Sequence, residues 1–148
     1  MWEKLGTEFD DFKANRLSTR HALNFALTAW HLSDWLWATD LKVRGTSQIP
    51  QLGKEFTGLE NFQLHLREKC SDLSIISEIC HASKHTRSEG TLVESTARLA
   101  IPYGSGAYGE STYGGGLLVV TSNGRERIYF DIVNTVMDYW KGIIDRLN

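Results

Sequence analysis

Cysteine and proline are scarce in this chain, with two of each in 148 residues. Cys70 and Cys80 are too few and too isolated for a disulfide framework, or for a zinc site of their own. Long apolar runs are missing too. None reaches the roughly 18 residues that would span a bilayer. Charge of one sign is not in excess: 16 Lys and Arg stand against 18 Asp and Glu, for a formal net charge of −2. That balance gives no global attraction to a phosphate backbone or an anionic membrane. The start, Met1-Trp2-Glu3-Lys4, lacks the basic-then-apolar order of a signal peptide. A soluble cytoplasmic chain with no membrane association is therefore expected.

What is present suits one domain. A chain of this length buries about two-thirds of the surface it exposes when unfolded, so it needs no covalent staples. Hydrophobic residues at 41% and charged residues at 23% are ordinary values. Five Trp are many for this length. They call for a dense core or an aromatic interface.

Apolar spacing predicts a helix over 2–14, with Trp2, Leu5, Phe9 and Phe12 on one face. Ser18 is a good N-cap for a second helix over 18–40. Ala22, Phe25, Ala26, Ala29, Trp30 and Leu32 make that helix apolar round most of its circumference, which places it at the centre of a bundle. A narrow polar stripe remains: His21, Asn24, Thr28, His31 and Asp34. Gly45, Pro50 and Gly53 mark a loop over 43–56. Thr57 and Glu60 suggest a capping box opening a third helix, whose apolar face is Leu59, Phe62 and Leu66. A break at Cys70-Ser71-Asp72 precedes a fourth helix over 72–85, capped by Ser71. Leu73, Ile76 and Cys80 form its apolar face; Ser77, Glu78, His81, Lys84 and His85 form its polar side.

Periodicity then changes. Residues 92–101 alternate and read as a strand, and 117–121 as a second. Asn123-Gly124 is a strong hairpin signal, because both central residues of a type I′ turn need positive φ. Residues 125–130 return as a third strand. An amphipathic helix over 131–147 closes the chain with Ile132, Val136, Tyr139, Trp140 and Ile143. The expected fold is α+β: about four N-terminal helices over 1–88, a small three-stranded antiparallel meander over 91–130, and a C-terminal helix, all in one domain.

Residues 104–116 are rich in glycine, and Gly104, Gly106 and Gly109 match G-x-G-x-x-G. A phosphate cradle of that type needs a helix directly after the glycines. Here another strand follows, so the segment reads as a long hairpin tip, where Tyr108 and Tyr113 offer contact surface.

Chemistry concentrates in histidines. His31 and Asp34 lie three apart on the second helix, and His81 and His85 four apart on the fourth, with Lys84 beside them. Residues at these spacings share a face. If the two helices pack together, His31, Asp34, Lys84 and His85 can converge as a catalytic group. A histidine titrates near neutral pH, an aspartate can fix its tautomer, and an ammonium can hold an anion. His31, Asp34 and His85 are also a conceivable metal set, although neither spacing is a metal signature and H-E-x-x-H is absent. No cofactor is expected. The same residues have a purely structural reading. Asp34 can bond a helix end or a Trp indole, His31 can be a satisfied core histidine, and Lys84 and His85 suit the negative end of a helix dipole.

At these residues the chain resembles a group of uncharacterised bacterial and phage proteins. They share an H-x-x-D-W helix, here within Ala26–Trp35, and a later helix ending in K-H, here within Cys70–His85. The helical half is also similar to HEPN domains. That resemblance implies a helical bundle, often dimeric, found in defence systems and frequently acting as a metal-independent RNase through an R-x4-6-H motif. Arg16 and His21 fit the spacing, with Leu17 where the family usually has a polar residue. Three functions follow as expectations: a HEPN-like nucleotide- or RNA-processing domain built on the histidine group, a non-catalytic interaction protein or homodimer using Trp30, Trp35, Trp37 and Trp140 as contact surface, and nucleic-acid binding without chemistry.

Overall fold

The computed structural model describes residues 1–41, 48–49, 54–84, 93–94 and 117–147. Helix α1 (Trp2–Ala14) buries Leu5 and Phe12 completely, with Trp2 and Phe9 packed at the edge of the same cluster. Helix α2 (Thr19–Leu36) starts where expected. The Ser18 hydroxyl accepts the His21 backbone N–H at 3.3 Å, satisfying one of the free donors of the first turn. Phe25, Ala26, Ala29 and Leu32 are fully buried along it. The α-helix does not run to residue 40. After Leu36 the chain widens into a π-helical turn, Trp37–Leu41, and the Trp37 ring stacks on Phe62 at 6.0 Å.

Two short strands, β1 (Gln48–Ile49) and β2 (Lys54–Glu55), pair antiparallel inside the segment expected to be loop. Residues 42–47 and 50–53 of that segment lie outside the described residues. Helix α3 (Leu59–Lys69) begins after Gly58, and no side chain caps it. The capping box does not form: with Leu59 as the first helical residue, Glu60 falls at the second position rather than the third. The Thr57 hydroxyl instead accepts the Asn61 side-chain amide. Phe62 and Leu66 are buried as the spacing implied.

A single extended residue, Cys70, separates α3 from α4 (Ser71–Lys84). Its carbonyl accepts the Ser74 N–H at 3.2 Å, so Ser71 lies inside the first turn and is not the cap. Leu73, Ile76 and Cys80 are fully buried. Ser77, expected on the polar side, is buried as well. Its hydroxyl donates to the Ser74 carbonyl at 2.8 Å and so needs no water.

Strand β3 (Val93–Glu94) pairs antiparallel with β4 (Val119–Ser122), which pairs with β5 (Arg125–Ile128). Between β4 and β5, Asn123 and Gly124 take φ of 51° and 72°, as the turn chemistry required. The rest of the 92–101 segment and the whole glycine-rich stretch, 104–116, lie outside the described residues. Helix α5 (Tyr129–Leu147) starts two residues before the expected position. Tertiary bonding explains the shift. The Tyr129 N–H donates to the Leu118 carbonyl at 2.9 Å, and its buried hydroxyl donates to the Ala22 carbonyl of α2 at 2.7 Å.

Among the described residues the chain is thus mostly helical, with five α-helices and two small antiparallel sheets, and is of the α+β class. No described helix is long and apolar enough to cross a membrane. Helix α2 packs against α1, α3, α4 and α5. A half-buried ion pair joins the sheet to the bundle. Arg127 of β5 donates Nη1 and Nη2 to Oδ1 and Oδ2 of Asp72 at 2.7 and 3.1 Å, and Asp72 lies almost fully buried in the first turn of α4. The geometry is bidentate, and the helix N-terminus favours the carboxylate further. Arg127→Met should cost about 2–4 kcal/mol in urea melts, because it strands a buried carboxylate. Adding Asp72→Asn should recover part of that loss.

Candidate functional site

Two of the four proposed site residues meet. His31 and Asp34, one turn apart on α2, are joined by a 2.9 Å contact between Nδ1 and Oδ2, and both side chains are 40% exposed. An ionised carboxylate can only accept, so Nδ1 carries the proton and Nε2 is left as the free acceptor. A third residue completes the arrangement. Gln63 of α3 donates Nε2 to Asp34 Oδ1 at 2.7 Å and to Ser33 Oγ at 2.9 Å. The Ser33 hydroxyl itself donates to the Trp30 carbonyl at 2.7 Å. Both oxygens of Asp34 are therefore held, one by the imidazole and one by an amide from another helix. His31 is not a core histidine, and among the described residues Asp34 bonds neither a helix end nor an indole.

The Lys84 side chain and the whole of His85 lie outside the described residues. Lys84 is the last residue of α4. Among the described residues no group of three or more His, Cys, Asp and Glu side chains converges to hold a metal. What α4 does bring to α2 is His81, whose exposed ring stands edge-on to Trp30 at 6.1 Å. From α3, the Arg67 guanidinium carbon approaches the same indole at 5.9 Å. Glu78, one turn before His81, is half-buried. Burial pushes its carboxyl up, against the opposing pull of Arg67 and His81.

Gln63 and Arg67 escaped sequence reasoning. They lie four apart on one face of α3, but nothing in their spacing marks Asp34, 29 positions away from Gln63, as a partner. The Arg16–His21 pair lies elsewhere. The Arg16 guanidinium covers the Phe130 ring at 3.7 Å. His21 accepts at Nε2 from Arg20 at 3.5 Å, while its Nδ1 is buried without a partner. His21 is ten residues before His31 on α2, about 15 Å along the axis.

A cavity of about 290 Å³ opens at that early end of α2, between α2, α4 and β4. Leu23, Ile79, Leu118 and Val120 give it a largely apolar lining, with Thr19 and Ser83 as polar members. Tyr129 also lines it, with its hydroxyl already donating to the Ala22 carbonyl, and the dyad is not part of it. The expected aromatic surface is also smaller than the tryptophan count implied. Trp30 and Trp140 belong to the core, and Trp37 packs against it.

No family model, curated protein or solved structure matches this chain.

Glu78 supplies a check on the electrostatics of this face. Its raised carboxyl binds a proton more readily in the folded chain than in the unfolded one. The charged form therefore costs stability at neutral pH, and the cost fades as pH falls below the ordinary glutamate range of about 4.3. Glu78→Gln should melt higher than the parent at pH 7.5, with the difference closing near pH 4.

Proposed function

We propose that the chain is a HEPN-like nucleotide- or RNA-processing domain whose acid–base centre is the His31–Asp34 dyad. The fold that carries it is read as a bundle of four N-terminal helices and a C-terminal helix, with a three-stranded meander. The observation supporting the reading is the half-exposed 2.9 Å contact between His31 and Asp34, braced by Gln63 from a second helix. A surface histidine fixed in one tautomer by a carboxylate that is itself fixed is suited to repeated proton transfer. His31 Nε2 takes the proton of the substrate 2′-hydroxyl as its oxygen bonds phosphorus; the P–O5′ bond breaks, the leaving 5′ oxygen takes a proton from water, and His31 is left as imidazolium until that proton returns to solvent. Asp34 holds the ring in place and stabilises that charge. Gln63 keeps Asp34 aligned.

His31→Ala should lower cleavage of a single-stranded RNA by about 10²–10⁴-fold. Its melting temperature should stay within about 3 °C of the parent, because the side chain is half exposed. Cleavage should persist in EDTA. A His31→Ala protein that cleaves at the parental rate would end this reading.

A second reading, an interaction surface, has one observation in its favour. Trp35 and Leu64, sequence neighbours of Asp34 and Gln63, are 38% and 47% exposed. If they bury against a second copy, light scattering should give twice the 16.8 kDa of the chain. Trp35→Ser should return it to monomer.

A further inference from the structure

Two side chains that the dyad does not use stand near the Trp30 indole. The Arg67 guanidinium carbon is 5.9 Å from the indole centroid, and the His81 ring is 6.1 Å from it. The two groups are thus at most about 12 Å apart. They come from α3 and α4 and approach the same α2 residue, which directly precedes His31. Arg67 makes no hydrogen bond or ion pair with any described residue, and its Nε is buried without a partner. A half-buried guanidinium normally spends its five donors on carboxylates or carbonyls. Here Glu78 interacts electrostatically with both Arg67 and His81, and its own Oε2 is likewise buried and unbonded. The indole supports the flat guanidinium without using a donor. Along α3, Arg67 is one turn past Gln63, a rise of about 6 Å.

We propose that Arg67, assisted by His81, forms a subsite for a phosphate oxyanion beside the dyad. This extends the acid–base reading of His31 by assigning the group that holds the substrate's charge. A planar fork with free donors matches two phosphate oxygens, and an exposed imidazole can donate to a third. Net charge does not oppose this, since a single subsite requires only local positive potential. The anion can belong to a free phosphate, a mononucleotide or a phosphodiester strand, and the three differ in how many further contacts they make.

The test measures binding, not turnover. Inorganic phosphate, a 5′-mononucleotide and a 2′-O-methylated RNA hexamer that cannot be cleaved are titrated into the full chain by calorimetry. The variants are Arg67→Met, Arg67→Lys and His81→Gln. Arg67→Met keeps an unbranched stem over Trp30 without the charge, and thermal melts check its fold. At least one ligand should bind the parent. Arg67→Met should weaken that ligand about 10-fold or more, Arg67→Lys should restore part of the loss, and His81→Gln should weaken it about threefold. The tightest of the three ligands identifies the source of the anion. Loss of binding in Arg67→Met with no cleavage by the parent supports the subsite and ends the dyad reading. Parental binding in both Arg67→Met and His81→Gln overturns the subsite and leaves the dyad reading standing. If Arg67→Met fails to fold, Arg67→Lys and His81→Gln decide: no weakening in either overturns the proposal. No binding by the parent to any of the three ligands overturns it as well.

Discussion

Helix α2 has almost no face that can be left in water, and the rest of the structure follows from covering it. Phe25, Ala26, Ala29 and Leu32 are fully buried and Trp30 nearly so. Burial of a large apolar side chain is worth roughly 1.5–3 kcal/mol. A helix that is apolar nearly all round is stable only when neighbours surround it. α1, α3, α4 and α5 supply that cover. Each neighbour brings its own apolar stripe and leaves its polar side outward. The accessible part of α2 around His31 and Asp34 is consequently where polar groups from α3 and α4 gather.

The one-residue break at Cys70 has a matching consequence. It joins α3 to α4 with almost no intervening chain, so both reach α2 from adjacent positions. Gln63 then meets Asp34, and Arg67 and His81 both approach the Trp30 indole. The Asp72–Arg127 pair ties the start of α4 to the sheet. The Tyr129 hydroxyl ties the start of α5 to the first turns of α2. Both are polar contacts at the ends of elements, where backbone groups of helices lack partners of their own. They set the positions of helices whose sides are held mainly by apolar packing.

Much of the fold was legible because it depends on local chemistry. Ser18 caps α2, Leu5 and Phe12 are buried as their spacing required, and Asn123-Gly124 adopts positive φ because little else in the chain can do so cheaply. Readings failed through both local and tertiary effects. Ser77 is polar yet buried, since a backbone carbonyl satisfies it. Thr57 and Glu60 have the letters of a capping box, but the helix starts one residue late. Residues 129–130 alternate like a strand, yet the Tyr129 hydroxyl finds its acceptor on α2 and the helix begins there.

The candidate site divides along the same line. His31 and Asp34 share one helix face, so their contact depends on a spacing of three residues and on little else; the sequence by itself determined that pair. It likewise determined which residues make α2 apolar, and hence that α2 must be enclosed. Which helices enclose it, and in what register, was settled by tertiary structure alone. Packing matches shapes between segments tens of residues apart, and no periodicity within either segment encodes that match. Gln63 on Asp34, and Arg67 and His81 about Trp30, are outcomes of that packing.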